Sequence, residues 1–182
     1  MKALLACLLL ASASWAAHAP PQQKKLPKWA QQLYQKKLSS RYELACLPQF
    51  RPCVLEADFE GDGRQDAATM VRKRTTGALG VAVFLSSGAW HLLGAGTDAG
   101  GGGDWAWVDQ WKIFKKGPVK QGPEGLKPPV LSSDAILFEK RKGQAGLVYC
   151  DSKNCSWYQL KEEPKPKEEP KPQAETTPKD KP

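Results

Sequence analysis

Apolar residues first recur with a helical period and then switch to the shorter period of strands. Leu26, Trp29, Ala30, Leu33, Tyr34 and Leu38 follow helical spacing, which predicts an amphipathic helix over residues 27–40, with Pro27 suited to its first turn. From Cys53 onward the pattern is strand-like. Candidate strands are 53–58, 67–73, 79–86, 89–93, 106–113, 135–141, 145–150 and 155–160. Turn-forming residues separate them, as in Arg74-Thr-Thr-Gly-Ala, Ser86-Ser-Gly and Asp151-Ser-Lys-Asn. Connections this short impose antiparallel pairing, and the last three strands read as a meander. The expected fold class is therefore α+β, mostly antiparallel sheet with one N-terminal helix. The apolar face of that helix is expected to cover the sheet. Lys24, Lys25, Lys28, Lys36 and Lys37 crowd its polar side, so contact with a membrane surface is the rival reading.

Both ends of the chain depart from this pattern. Residues 1–19 begin with Lys2 and continue as a short apolar run ending in small residues, the form of a secretory signal peptide. Cleavage is expected after Ala19 or, because Pro20 would follow that cut, after Ala16. The domain then spans 20–160. Lys115–Asp134, rich in Pro and Gly, reads as a long surface loop. Residues 161–182 hold six prolines, six basic and six acidic residues, too polar a mix to bury a core, so a disordered tail is expected. No later segment is long and apolar enough to cross a membrane.

Removing the leader changes the charge little: the formal +8 loses only Lys2 and becomes +7. Such a charge suits contact with anionic cell-surface polymers, or simply keeps the chain dispersed; no nucleic-acid partner is expected. Four cysteines remain, Cys46, Cys53, Cys150 and Cys155. An even count in an exported chain argues for disulfides, and Cys46–Cys53 with Cys150–Cys155 is the favoured pairing of three. The second pair would bridge a hairpin.

The densest chemistry lies in Ala57-Asp-Phe-Glu-Gly-Asp-Gly-Arg-Gln-Asp66. Asp58, Glu60 and Asp62 fall at the first, third and fifth positions of a calcium loop. Gly63 falls at the sharp turn, Arg64 would offer its carbonyl, and Asp66 stands ninth. Thr69 occupies the twelfth place, and the flanks read as strands, so the loop is not an EF-hand. Asp58–Asp66 resembles the FG-GAP/VCBS type of repeat, Asp-x-Asp/Asn-Gly-Asp-Gly-x-x-Asp between two strands, with Glu60 where that family has Asp or Asn. The likeness implies weak Ca²⁺ binding, at about 10⁻⁴–10⁻³ M. It covers about twenty residues in a single copy, so it implies a loop and not a propeller, which takes about four to eight blades. A turn without an ion, built by the same Asp and Gly residues, is the competing expectation.

The second unusual stretch is Gly94–Lys112. Four consecutive glycines, Gly100–Gly103, are mobile unless something closes over them. Trp105, Trp107 and Trp111 share parity on the expected strand and would line one face, flanked by Asp104 and Asp109. That strip suits stacking on sugar rings or a protein partner; burial in the core is the alternative. No G-x-S-x-G, no H-E-x-x-H and no paired carboxylates with a raised pKa are legible. The sequence reads as a non-enzyme: an exported bacterial envelope module that binds a protein or glycan. A cell-wall-active hydrolase using loop carboxylates, and an inhibitor of a wall-degrading enzyme, are the alternatives.

Overall fold

The computed structural model describes residues 25–161 except Lys142 and Ser152; the expected leader and the tail from 162 onward lie outside them. One helix, α1 (Lys28–Lys37), precedes nine strands. They are β1 (Tyr42–Leu44), β2 (Val54–Ala57), β3 (Asp66–Lys73), β4 (Leu79–Phe84), β5 (Trp90–Gly94), β6 (Gln110–Phe114), β7 (Ala135–Glu139), β8 (Ala145–Cys150) and β9 (Cys155–Gln159). Every pairing is antiparallel, and the class is the expected one: mostly antiparallel sheet with one helix before it.

The strands form two sheets. In the first, β3 is central. One of its sides pairs with β4, and β4 with β5. The other side is shared end to end: β2 pairs from Ala57↔Asp66 to Val54↔Thr69, and β1 from Leu44↔Val71 to Tyr42↔Lys73. The second sheet is the meander β6-β7-β8-β9.

Strand parity sets three layers. Val81 and Val83 of β4, with Leu55, Met70 and Leu93, join Trp111, Ile136, Phe138 and Val148 of the second sheet in one core. Ala82 and Phe84 turn the other way and meet Ala30, Tyr34 and Leu38 of the helical layer. A strand buried on both faces needs apolar residues at every position, and Leu79-Gly-Val-Ala-Val-Phe84 supplies them. The helix thus covers the sheet, as its spacing predicts, and this apolar face is not the one turned outward. Tyr34 fixes the packing further, its hydroxyl donating to the Tyr42 carbonyl at 3.0 Å. No helix among the described residues is long and apolar enough to cross a membrane.

The structure differs from the sequence reading at four places. Pro27 is the N-cap and not a helical residue, and the helix stops at Lys37. β1 is an additional strand, three residues long. The expected strand 106–113 begins only at Gln110. Before it, Asp104 accepts from Ala106 N–H, and Val108 N–H bonds back to the Trp105 carbonyl, so the chain turns there. The 115–134 connection is also not wholly a surface loop: Leu131 and Ser133 are buried, and the Ser133 hydroxyl donates to the Phe59 carbonyl at 2.7 Å.

Both disulfides pair as expected, Cys46 with Cys53 and Cys150 with Cys155, the latter directly opposite each other on β8 and β9. Loops this short are each worth about 2–2.5 kcal/mol by chain-entropy arguments.

Gly146 on β8 lies under the Trp157 ring of β9, and a Cβ there would overlap the indole. Gly146→Ala is therefore expected to destabilise the fold by about 1–3 kcal/mol, the usual range for overpacking. Urea denaturation of the two proteins measures it; an unchanged midpoint would show that the indole has room to move.

Candidate functional site

The acidic loop Asp58–Asp66 joins β2 to β3, and its carboxylates point to different partners. Asp58 accepts from the N–H groups of Gly61 (2.6 Å), Asp62 (3.1 Å) and Gly63 (2.9 Å). Asp62 is held by Arg64, through its backbone N–H at 2.8 Å and its guanidinium at 2.6–2.7 Å. Those contacts keep the Asp62 carboxyl below the usual carboxylate range. Glu60 turns to Ser87, accepting from its N–H and hydroxyl. Asp66 is fully buried and accepts from Phe59 N–H (2.7 Å), Glu60 N–H (3.1 Å) and Ser86 N–H (2.7 Å). Burial pushes its carboxyl up, against the pull of these three donors.

As arranged, these carboxylates bond turn N–H groups, the Arg64 guanidinium and the Ser87 hydroxyl. A Ca²⁺ ion needs six to eight converging oxygens, and gathering them here means taking Asp62 from Arg64 and Asp58 from three N–H groups. As arranged, the set expected from sequence does not fit the ion, and among the described residues no group of three or more His, Cys, Asp or Glu is placed to hold a metal.

The tryptophans are distributed differently from a surface strip. Trp105 and Trp111 are buried, at 0% and 3% exposure, and present no ring to a sugar. Their parity did not survive because Trp105 and Trp107 sit in the turn before β6. With Trp157 and Phe138 they build one aromatic cluster, its ring centroids 4.7 Å (Trp105–Phe138), 5.3 Å (Trp105–Trp157) and 6.0 Å (Trp107–Trp157) apart. The glycine run closes over this cluster. A Cβ at Gly100 would stand 3.1 Å from Trp157, and one at Gly101 3.0 Å from Trp105. Trp105 Nε1 donates to the Gly102 carbonyl at 3.0 Å and Trp107 Nε1 to the Gly101 carbonyl at 3.2 Å. Trp111 Nε1 donates to the Pro52 carbonyl at 3.0 Å, tying β6 to the loop before β2. Asp104 and Asp109 hold backbone: Asp104 accepts from Leu79 N–H and Asp109 from Arg141 N–H.

Two nitrogen atoms stand outside this bonding. Trp157 Nε1 and His91 Nε2 are buried and have no hydrogen-bond partner among the described residues. Both residues line one cleft of about 450 Å³, at the mouth between the two sheets where β5 and β9 run along its sides. Leu93 and Cys155 share their parity and also line it, together with Ala99 and Gly100 of the glycine loop and with Asn154 and Ser156. Burial lowers the His91 pKa, so the ring is a neutral imidazole; Asp151 and Glu60 act against this from farther off. Asp151 itself is held low by the N–H groups of Lys153 and Asn154.

No family model matches this chain, and neither a curated protein nor a solved structure matches it. The sequence offers His91 and Trp157 only as strand residues. Their shared inward parity with Leu93 and Cys155 is legible, but that the two strands face one mouth depends on how the sheets pack.

Two outcomes follow. Asp66→Ala leaves three backbone N–H groups without an acceptor in a buried site. It is expected to cost about 3 kcal/mol or more, while millimolar CaCl₂ leaves the wild-type Tm unchanged; both are read by thermal and urea unfolding. A Ca²⁺-dependent rise in Tm would mean that the loop rearranges around an ion. His91 has a folded-state pKa below its unfolded 6.5. As pH falls through 6.5 the unfolded chain takes up the proton first, so stability is lost from there down through the folded value. His91→Gln is expected to remove that part of the pH dependence of unfolding, and an unchanged profile would place the titration elsewhere.

Proposed function

We propose that the protein is an exported binding module of the bacterial envelope that takes its ligand, a protein segment or a glycan, in the mouth between β5 and β9. The observation that carries this reading is the pair of unpartnered nitrogen atoms, Trp157 Nε1 and His91 Nε2, at one opening. Buried polar groups are nearly always bonded, and each one left unbonded costs about 1–3 kcal/mol. Two such atoms at a single cleft are explained by a ligand that completes them. Trp157 Nε1 can only donate, so the ligand brings an acceptor; a neutral imidazole can bond as donor or acceptor.

The leader-like start and the two disulfides support export. Binding rather than hydrolysis is supported by the carboxylates, since Asp58, Asp62, Asp104 and Asp109 hold turns. On this reading the likeness of Asp58–Asp66 to an FG-GAP/VCBS loop is a likeness of turn, and the ligand binds without calcium.

Tryptophan fluorescence of the oxidised protein, titrated with N-acetylated chito-oligosaccharides and with blocked peptides, tests this. One class is expected to bind, and Trp157→Phe and His91→Leu are each expected to weaken it by about two- to tenfold, the worth of one hydrogen bond. Binding that both variants retain in full would move the site away from the mouth.

A further inference from the structure

The two sheets present strand edges, and most of them are blunted. Glu43 of β1 pairs with Arg72 and Arg74. β2 is four residues long and carries Glu56. β6 carries Lys112, paired with Glu139 at 2.8 Å. The 115–134 connection lies against β9, where Gly122 N–H donates to the Tyr158 hydroxyl at 2.7 Å. β5, Trp90-His-Leu-Leu-Gly94, has neither a formally charged residue nor a proline. An edge strand without such devices is a template for another strand.

The hydrogen-bond ladder says which groups of β5 are open. Leu85 N–H bonds the Ala89 carbonyl at 2.9 Å, and Ala95 N–H bonds the Leu79 carbonyl at 2.8 Å. Antiparallel alternation between these two points turns His91 and Leu93 toward β4, and the N–H and C=O groups of Trp90 and Leu92 away from it. The Gly94 carbonyl already accepts from Thr97 N–H at 2.9 Å, which ends the open stretch. The open ladder is thus Trp90–Leu92, and it runs along the mouth that holds His91 and Trp157.

We infer that this mouth recognises an extended peptide segment of a partner protein, which adds as a strand to β5 along Trp90–Leu92 and sends alternate side chains into the cleft. The inference rests on the reading of the mouth as the binding site. A peptide presents N–H and C=O groups at the strand repeat of about 3.3 Å per residue, which a glycan does not. The side chain opposite Trp157 carries a hydroxyl or carboxamide oxygen, because the indole only donates.

The test uses the full oxidised chain, isotope-labelled, and a blocked heptapeptide of alternating threonine and valine with lysine at each end. Amide exchange at Trp90 and Leu92 is expected to slow by about tenfold or more at saturation, with His91 and Leu93 unchanged because they already bond to β4. N-methylation of the peptide on the residues whose N–H groups face β5 is expected to abolish binding. N-methylation in the other register is expected to leave it intact. Equal binding by the two methylated peptides, or perturbation of the Trp157 indole without protection at Trp90 and Leu92, overturns strand addition and leaves the mouth as a binding site. Slow exchange at Trp90 and Leu92 before any peptide is added overturns it too, since the edge would already be occupied. Binding of chito-oligosaccharide but not peptide overturns the peptide assignment alone, and binding of neither overturns both readings.

Discussion

The fold hangs on one buried carboxylate. Asp66 opens β3, the central strand of its sheet, and accepts N–H groups from the β2–β3 turn (Phe59, Glu60) and from the β4–β5 turn (Ser86). A charge in a closed site is costly unless it is bonded, and one of these donors, Ser86, lies twenty residues beyond Asp66 while the other two precede it. Satisfying Asp66 therefore sets the placement of β2, β3 and β4 together. The second sheet is anchored in a related way: Asp134 precedes β7, accepts from Lys115 Nζ and Lys116 N–H, and gives its own N–H to the Asp58 carbonyl at 3.0 Å. Burial works against ionisation of Asp134, but its lysine neighbour and the Lys116 N–H outweigh it and hold the carboxyl low.

Polar satisfaction then explains the two stretches that stand out in the sequence. The acidic loop has many carboxylates because it has many turn N–H groups to bond. Two of the four glycines of the run lie against indoles, where a Cβ at Gly100 or Gly101 would stand about 3 Å from a ring, and Gly102 has a φ of +88°. Three indoles, Trp105, Trp107 and Trp111, give their N–H groups to backbone carbonyls of Gly102, Gly101 and Pro52. Trp157 completes the same aromatic cluster but its N–H is left over, beside His91, at the mouth.

Much of the fold is legible because periodicity reports burial directly. Leu26 to Leu38 encode a helix with one buried stripe, and the unbroken apolar run of β4 encodes a strand covered on both faces. β1 is too short for its Tyr-Glu-Leu to show a period. Trp105 and Trp107 misread as strand because alternate spacing is all that parity registers, whereas Asp104 starts a turn by bonding Ala106 N–H. The acidic spacing is ambiguous in principle, since alternating carboxylates suit an ion and backbone donors equally. The mouth is not legible at all: His91 and Trp157 lie on different sheets, and only the packing of one sheet on the other sets them at a single opening.

On the proposed reading, the mouth carries hydrogen-bonding capacity left unmet by the rest of the fold. The indole N–H resonances of the ligand-free protein test it most directly. Trp105, Trp107 and Trp111 are predicted to show bonded indole protons with small temperature dependence, and Trp157 an unbonded one, shifted upfield of them. A Trp157 indole proton that behaves like the other three would mean that the chain already supplies its partner, and the mouth would lose its claim to a ligand.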